Sequence, residues 1–237
     1  MRFGLGGTKI AAMANNSKLC NFLNQAIELG CEFVDTAPLY GMGQSETQLG
    51  LCSNQFSTLK IGTKVGIVDL RSPFYQVKTV SKLRQISFKA KGSDWHSTFQ
   101  PNNLISHLHS SLKRLRRDSV DYFLLHSVPA NLHLEPFADA LLQIKNLGLA
   151  KKIGISIDNQ HPGDLSWCDV IELPLRGLSW NEFGKHQEIF VNSIVKESAS
   201  DLGKNIEVLK HTSLNVVSLL GTGSIQHWKD FVDKFEN

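Results

Sequence analysis

The sequence predicts one parallel (β/α)8 barrel over residues 1–237, and three observations predict it. Short apolar segments alternate with stretches of helical periodicity, which is typical of a parallel sheet with crossover helices. Most of these apolar segments are continuous, as strands covered on both faces are. The chain length fits a single barrel, which typically takes about 250 residues, better than two smaller domains. No internal repeat or linker indicates a second domain.

The predicted strands are rich in Val, Ile, Leu and Phe, and several are flanked by Gly or Asp. They cover residues 3–6, 32–36, 59–64, 120–126, 152–157, 169–173, 188–194 and 215–221. Helical periodicity between them is clearest in the leucines that follow Pro101 and Asn102, which suit a helix start. The predicted helices cover residues 16–29, 104–115, 137–147 and 225–235. Between the fifth and sixth strands, residues 161–167 leave room for about one helical turn.

One connection, from Gly66 to Gln100, is longer than an ordinary loop of roughly 12–15 residues. It follows the third strand and carries six Lys and Arg residues against two Asp residues. One interpretation is a solvated insertion. The other is a lid that attracts an anionic substrate or the phosphates of a cofactor. Its aromatic residues and one histidine are candidates for lining a pocket: Phe74, Tyr75, Trp95 and His96.

Composition and charge argue against nucleic-acid-binding and membrane proteins. The formal net charge of +3 is too small for the concentrated basic face that nucleic acid requires. No apolar run approaches the ~20 residues of a membrane span, and the first residues lack the features of a secretory signal. The four cysteines show no metal-binding spacing, so we expect reduced, mostly buried thiols, no metal site and a cytoplasmic location. The expected assembly is a monomer or a small homo-oligomer.

Polar residues follow or end the predicted strands, where a (β/α)8 barrel carries its reactive groups. Asp35, Lys64 and His126 end the second, third and fourth strands. The later strands carry Ser156, Glu172, Asn192 and Thr222 at or just past their ends. Burying an unpaired charge costs several kcal/mol, so Asp35 and Lys64, on neighbouring strands, are expected to pair. Tyr40 follows Asp35 by five residues, and its hydroxyl is expected to reach the same point.

These residue types suit the reduction of a carbonyl. A hydride delivered to carbon leaves charge on oxygen, which a proton donor must neutralise. Tyr40 is the candidate donor, although a free phenol has a pKa of about 10. A nearby ammonium favours the phenolate, so Lys64, held protonated by Asp35, is expected to lower the pKa of Tyr40. His126 is expected to orient the substrate oxygen by hydrogen bonding.

Several segments resemble the aldo-keto reductase family. The run Phe33-Val-Asp-Thr-Ala-Pro-Leu-Tyr-Gly41, followed by Ser45-Glu46, is similar to the family's signature around its catalytic Asp and Tyr. Ile61-Gly-Thr-Lys64 resembles the strand with the catalytic Lys, and Val120-Asp-Tyr-Phe-Leu-Leu-His126 the strand with the catalytic His. The resemblance implies a reductase of aldehydes, ketones or sugar-like carbonyls that uses NADPH or NADH. The family binds this cofactor across the barrel mouth without a Rossmann domain.

The resemblance also implies a set of cofactor contacts near the strand ends. These are Gly7, Thr8, Ser156, Glu172, Gly221, Thr222, Ser224 and His227. Three positions depart from the family: Ile157 and Phe231 stand where it usually has Asn, and Glu172 where it has Gln. A carboxylate accepts a hydrogen bond from the nicotinamide amide but cannot donate one to it. We therefore expect weaker binding of the nicotinamide amide unless Glu172 is protonated. After the last strand only His227 is expected to offer positive charge.

The sequence is therefore compatible with three functions. The first is an active NAD(P)H-dependent reductase with a small-molecule carbonyl substrate. The second is a catalytically idle relative that binds a dinucleotide or a protein partner, which the three departures favour and the complete set of catalytic residues disfavours. The third is a lyase that uses Lys64 as a Schiff base. A lyase needs Lys64 neutral, whereas Asp35 beside it favours the charged form.

Overall fold

The computed structural model describes residues 2–13, 16–52, 55–56, 58–67, 100–129, 131–158, 163–175, 187–192, 206–207, 209–210 and 214–236. Within them, eight parallel strands pair in chain order, and the first pairs with the last to close a barrel. The strands are β1 (Arg2–Gly6), β2 (Cys31–Asp35), β3 (Lys60–Val65), β4 (Val120–Leu125), β5 (Ala150–Ser156), β6 (Val170–Pro174), β7 (Glu188–Asn192) and β8 (Asn215–Leu220). The predicted (β/α)8 barrel and its strands are confirmed.

The described helices cover the outside of this barrel. They are α1 (Asn16–Glu28), α2 (Gln44–Cys52), α3 (Leu104–Leu115), α4 (Glu135–Asn146) and α5 (Ile225–Glu236), with short 3-10 helices at Ile10–Ala12 and Pro101–Asn103. The four predicted helices are confirmed. Residues 163–169, between β5 and β6, form turns rather than a helix. Most of the long connection, residues 68–99, lies outside the described residues, as do its proposed lid and pocket-lining side chains.

Helix α2 was not predicted because its inward face is polar. Ser45, Glu46 and Gln48 are buried along it, so the apolar helical pattern is missing. Glu46 accepts a hydrogen bond from the Thr63 hydroxyl at 2.6 Å and pairs with Arg114 Nε at 2.7 Å. These buried contacts tie α2 to β3 and α3, and so fix the start of the helix that follows the Tyr40 turn.

An aromatic cluster fills the barrel interior one layer below the carboxyl ends of the strands. The rings of Phe33, Tyr122 and Phe190 lie 4.6–5.0 Å apart between centroids. Gly62 faces this cluster, and a Cβ atom there would lie 2.9 Å from the Phe33 ring. Because alternate residues of a strand share one face, Phe33 supports Asp35 and Phe190 supports Asn192. The cluster therefore forms the floor on which the polar strand ends rest.

The cysteines differ in part from the prediction. Cys20 on α1 and Cys52 on α2 form a disulfide, with Cα atoms 5.7 Å apart. The expectation of reduced thiols is wrong for this pair and confirmed for Cys31 and Cys168, which are free and buried. The pairing depends on α1 packing against α2, which the spacing of the cysteines in the sequence does not indicate.

Two features are absent from the described residues. None of the described helices has the length and apolar character of a membrane span. No group of three or more His, Cys, Asp or Glu side chains in this part of the chain is arranged to hold a metal ion.

Candidate active site

A cavity of about 720 Å³ opens at the carboxyl ends of the barrel strands. This is where barrel enzymes carry their active sites, and the volume is within the usual range for small-molecule pockets. Polar strand-end residues and the segment that enters α5 line it. The lining includes Thr8, Lys9, Asp35, Tyr40, His126, Ser156, Asp158, Glu172, Asn192, Gly221, Thr222, His227, Asp230, Phe231 and Lys234.

Lys64 lies at the centre of the candidate site, and its side chain is fully buried. Its ammonium donates to Asp35 Oδ2 at 2.6 Å and to the Tyr40 hydroxyl at 3.1 Å. Asp35 ends β2 and Lys64 lies on β3, the next strand of the barrel. The ion pair expected from the sequence is therefore formed, and the phenol reaches the same ammonium.

A tight turn between β2 and α2 brings Tyr40 to Lys64. Backbone hydrogen bonds from Gly43 N to Pro38 O at 2.8 Å and from Ser45 N to Tyr40 O at 3.2 Å close the turn. Gly41 has a φ of 64°, and a Cβ atom there would lie 2.5 Å from that of Ala11. Glycine is the residue that suits this left-handed, crowded position. The Tyr-Gly pair in the sequence thus has a local structural cause.

His126 follows β4 directly and faces Tyr40. The two rings lie edge to face, with centroids 5.8 Å apart. Burial lowers the pKa of His126 well below its usual value, and the positive charge of Lys64 lowers it further. The imidazole is therefore neutral and carries one N–H donor and one acceptor.

Glu172, on β6, is a partner of Lys64 that the sequence analysis missed. Its Oε1 atom accepts from Lys64 Nζ at 3.1 Å and from Asn192 Nδ2 at 2.9 Å. Its Oε2 atom lies 2.8 Å from Lys64 Nζ, in a direction that does not make a hydrogen bond. The resemblance implies a cofactor contact for Glu172, and the structure places it both at the wall of the cavity and inside the cluster of catalytic candidates. The feature of the sequence that could have indicated this role is the polar residue found at the end of each strand.

Burial and an excess of negative groups in the cluster shift the pKa values of Asp35 and Lys64. Burial raises the pKa of Asp35 to about 7, and nearby Glu172 adds to the rise while Lys64 opposes it. Burial alone would lower the pKa of Lys64, but the charges of Asp35 and Glu172 outweigh it and hold that pKa well above its usual value. Lys64 is therefore a cation, which disfavours the lyase hypothesis.

The expected direction of the Tyr40 pKa is wrong for this cavity. Burial raises the pKa of the phenol above its usual value. Lys64 lowers it, as expected, but Asp35 and Glu172 both raise it. The phenol consequently stays protonated, which is the form that a proton donor requires.

The residues implied as cofactor contacts fall into two groups. Six of them line the cavity: Thr8, Ser156, Glu172, Gly221, Thr222 and His227. Gly7 and Ser224 are not part of its wall. The Gly7 N–H donates to the Asp35 carbonyl at 2.6 Å, and the Ser224 carbonyl accepts from the Trp228 N–H near the start of α5.

The departures from the family pattern also have visible positions. The Ile157 side chain is fully buried in the hydrophobic core. Phe231 packs its ring against Phe3 and Phe235 while reaching the cavity. The sequence predicts positive charge from His227 alone. In the structure Lys9 and Lys234 also line the cavity, so that expectation is wrong.

Comparison with known proteins agrees with this geometry. The sequence profile described as the Aldo/keto reductase family matches residues 1–231. Methylglyoxal reductase DkgB of Salmonella typhi is 30% identical over 160 residues, which cover 65% of this chain and 46% of that protein. This chain thus spans about half the length of the curated relatives it matches. This chain belongs to the aldo/keto reductase family.

Solved structures show the same fold. One assigned as an aldo-keto reductase of Pseudomonas aeruginosa has a TM-score of 0.74 at 22% identity, covering 98% of this chain and 88% of that one. An aldo-keto reductase of Klebsiella pneumoniae, solved in complex with NADPH, has a TM-score of 0.67 at 16% identity, covering 99% and 85%. At this identity the likeness shows a shared barrel.

Proposed function

We propose that this chain reduces an aldehyde, ketone or sugar-like carbonyl with NADPH or NADH. The observation that carries the proposal is the Tyr40 hydroxyl, 3.1 Å from the Lys64 ammonium at the wall of a cavity over the strand ends. Family membership and the NADPH complex of the Klebsiella pneumoniae relative support it. A bound nicotinamide would supply the hydride to the carbonyl carbon.

In this proposal the chain's own residues manage the charge that develops on the carbonyl oxygen. Tyr40 donates its proton to that oxygen and becomes a phenolate, which the Lys64 cation stabilises. Asp35 keeps Lys64 charged and fixes its position. The neutral His126 donates a hydrogen bond to the same oxygen, which it can do from one ring nitrogen.

The cavity suits a dinucleotide cofactor. Ser156 and Glu172 would face the nicotinamide amide, and the Glu172 Oε2 atom is a buried acceptor that lacks a donor among the described residues. Lys9, Lys234 and a protonated His227 would attract the phosphates. Contacts from Gly7 and Ser224 stay predictions, as do an anionic substrate, a cytoplasmic location and a monomeric or small homo-oligomeric state.

A catalytically idle, dinucleotide-binding protein is the second candidate. The observation that favours it is Glu172, which takes a hydrogen bond from Lys64 and stands where the family usually has an amide donor. Binding without turnover would distinguish this function from the first.

Titration with NADPH and NADH, followed by nicotinamide fluorescence, tests the proposal. We expect at least one cofactor to bind, and the complex to consume it when an aldehyde is added. Binding without consumption across a panel of aldehydes, ketones and sugars would support the idle protein instead. No response to either cofactor would overturn both candidates.

A further inference from the structure

The charges around the cavity do not balance. Lys9 and Lys234 line it together with Asp158 and Asp230, so these four charges cancel. A second group consists of the Lys64 ammonium and the carboxylates of Asp35 and Glu172, both 2–3% exposed. At pH 8, above the pKa of about 7 to which burial raises Asp35, Asp35 and Lys64 neutralise each other, which leaves one negative charge in excess, that of Glu172.

The excess negative charge faces the cavity. Lys64 is the one cationic side chain among the described residues within hydrogen-bonding distance of Asp35 or Glu172. All three of its donors are used, by Asp35, Tyr40 and Glu172. Glu172 Oε2 and Asp35 Oδ1 are still buried acceptors without a hydrogen-bond donor in the described part of the chain. The cavity therefore presents an unbalanced carboxylate to whatever binds there.

We propose that Glu172 makes this cavity hold the oxidised nicotinamide cofactor more tightly than the reduced one. The inference rests on the proposed function. The two forms share every phosphate and sugar group and differ in the nicotinamide ring, which is a cation when oxidised and neutral when reduced. A carboxylate that lines the cavity attracts the cation and not the neutral ring, so it separates the two affinities.

In this role Glu172 affects the reaction without making or breaking a bond. Tighter binding of the oxidised form shifts the equilibrium on the protein toward hydride donation, because binding and reaction are linked in one thermodynamic cycle. The family's usual Gln has no charge and would leave the two affinities closer together. Glu172 thus acts as a specificity-determining residue for the oxidation state of the cofactor.

The magnitude follows from the Coulomb energy of one unbalanced charge. For any separation below about 12 Å and an effective dielectric constant of about 20, the expected preference is at least about tenfold. The reduced form should therefore have a dissociation constant at least about ten times that of the oxidised form in the wild-type protein. Replacement of Glu172 by Gln should bring that ratio close to one.

The experiment measures dissociation constants of the oxidised and reduced cofactor by calorimetry at pH 8, where Asp35 is ionised, on the wild-type chain and on Glu172→Gln. The ratio of the two constants is the readout, because a new hydrogen bond from Gln to the amide would affect both forms alike. Glu188→Gln is the matched control. Glu188 is also a buried carboxylate, but it lies at the opposite end of the barrel and pairs with Arg2 and Lys152.

We expect the ratio to fall at least about tenfold in Glu172→Gln and to stay unchanged in Glu188→Gln. An unchanged ratio in Glu172→Gln, with both forms bound, would overturn the inference and leave the proposed function intact. Equal affinities in the wild-type protein would overturn it as well, and that measurement does not depend on a folded variant. Failure of both forms to bind the wild type would instead overturn the proposed function, and the inference with it.

Discussion

Replacement of Tyr40 by Phe is expected to lower kcat for aldehyde reduction by at least about a hundredfold, the usual minimum for loss of a general acid. Cofactor affinity should stay within about twofold, because the ring and its packing on His126 are kept. The Lys64 ammonium retains both carboxylates, so the variant should fold normally. Steady-state rates and fluorescence titration measure the two quantities separately.

Tyr122→Phe is the matched control for this prediction. Tyr122 is also a buried phenol, but it lies in the aromatic floor of the barrel next to Glu188. Loss of its hydroxyl should leave kcat within a few-fold of the wild type. Equal rates for Tyr40→Phe and the wild type would refute the assignment of Tyr40 as the proton donor.

Replacement of Lys64 by Met is expected to lower the free energy of unfolding by about 3–5 kcal/mol at neutral pH, the usual cost of breaking a buried ion pair. The substitution removes the ammonium that pairs with two carboxylates, Asp35 and Glu172, each almost fully buried. Adding Glu172→Gln to this variant should recover part of the loss, because a single carboxylate then lacks a partner. Urea denaturation of the three variants and the wild type completes a double-mutant cycle.

The pH dependence of this loss has a definite sign. Without Lys64, burial and the nearby Glu172 carboxylate favour the protonated form of Asp35 in the folded state, with no cation to oppose them. The pKa of Asp35 is already raised to about 7 with Lys64 present. A carboxyl whose pKa is raised on folding stabilises the protein in acid and loses that contribution as the pH rises through its folded pKa. The defect of Lys64→Met should therefore shrink toward pH 5 and grow toward pH 8.

Lys145→Met is the control for an exposed ion pair. Its ammonium lies 2.7 Å from Asp169, but the Lys145 side chain is 37% exposed. The expected loss is below about 1 kcal/mol. A loss for Lys64→Met no larger than that of this control would show that the buried cluster is not held together by its ammonium.

The barrel could be predicted from the sequence because each strand is recognisable from its own residues. Each is a short apolar run, and the order of strands in a parallel barrel follows the chain. Helix α2 could not be predicted in this way. Several of its buried residues are polar: Ser45 donates to the Gly7 carbonyl, and Glu46 bonds to Thr63 on β3 and Arg114 on α3, all far away in the sequence. The disulfide between α1 and α2 was missed for the same reason, since it depends on how that helix packs.

The part of the candidate site that lies on neighbouring strands could be predicted from the sequence. Asp35 and Lys64 lie on adjacent strands, so their pairing follows from the strand order. Glu172 is three strands further along the barrel from Lys64, and contact across the interior depends on the width that the aromatic floor allows. The direction of the Tyr40 pKa was wrong because the prediction counted the cation and left out the burial and the second carboxylate.

In the proposed function, this chain transfers hydride from a nicotinamide to a carbonyl carbon. The most direct measurement incubates the wild-type protein with an aldehyde and with reduced cofactor that carries deuterium in place of the transferable hydrogen. Mass spectrometry then locates the label. We expect an alcohol with one deuterium on the former carbonyl carbon, formed at least about a hundredfold more slowly by Tyr40→Phe than by the wild type. Unlabelled alcohol, or bound cofactor with no alcohol from any carbonyl tested, would contradict this function.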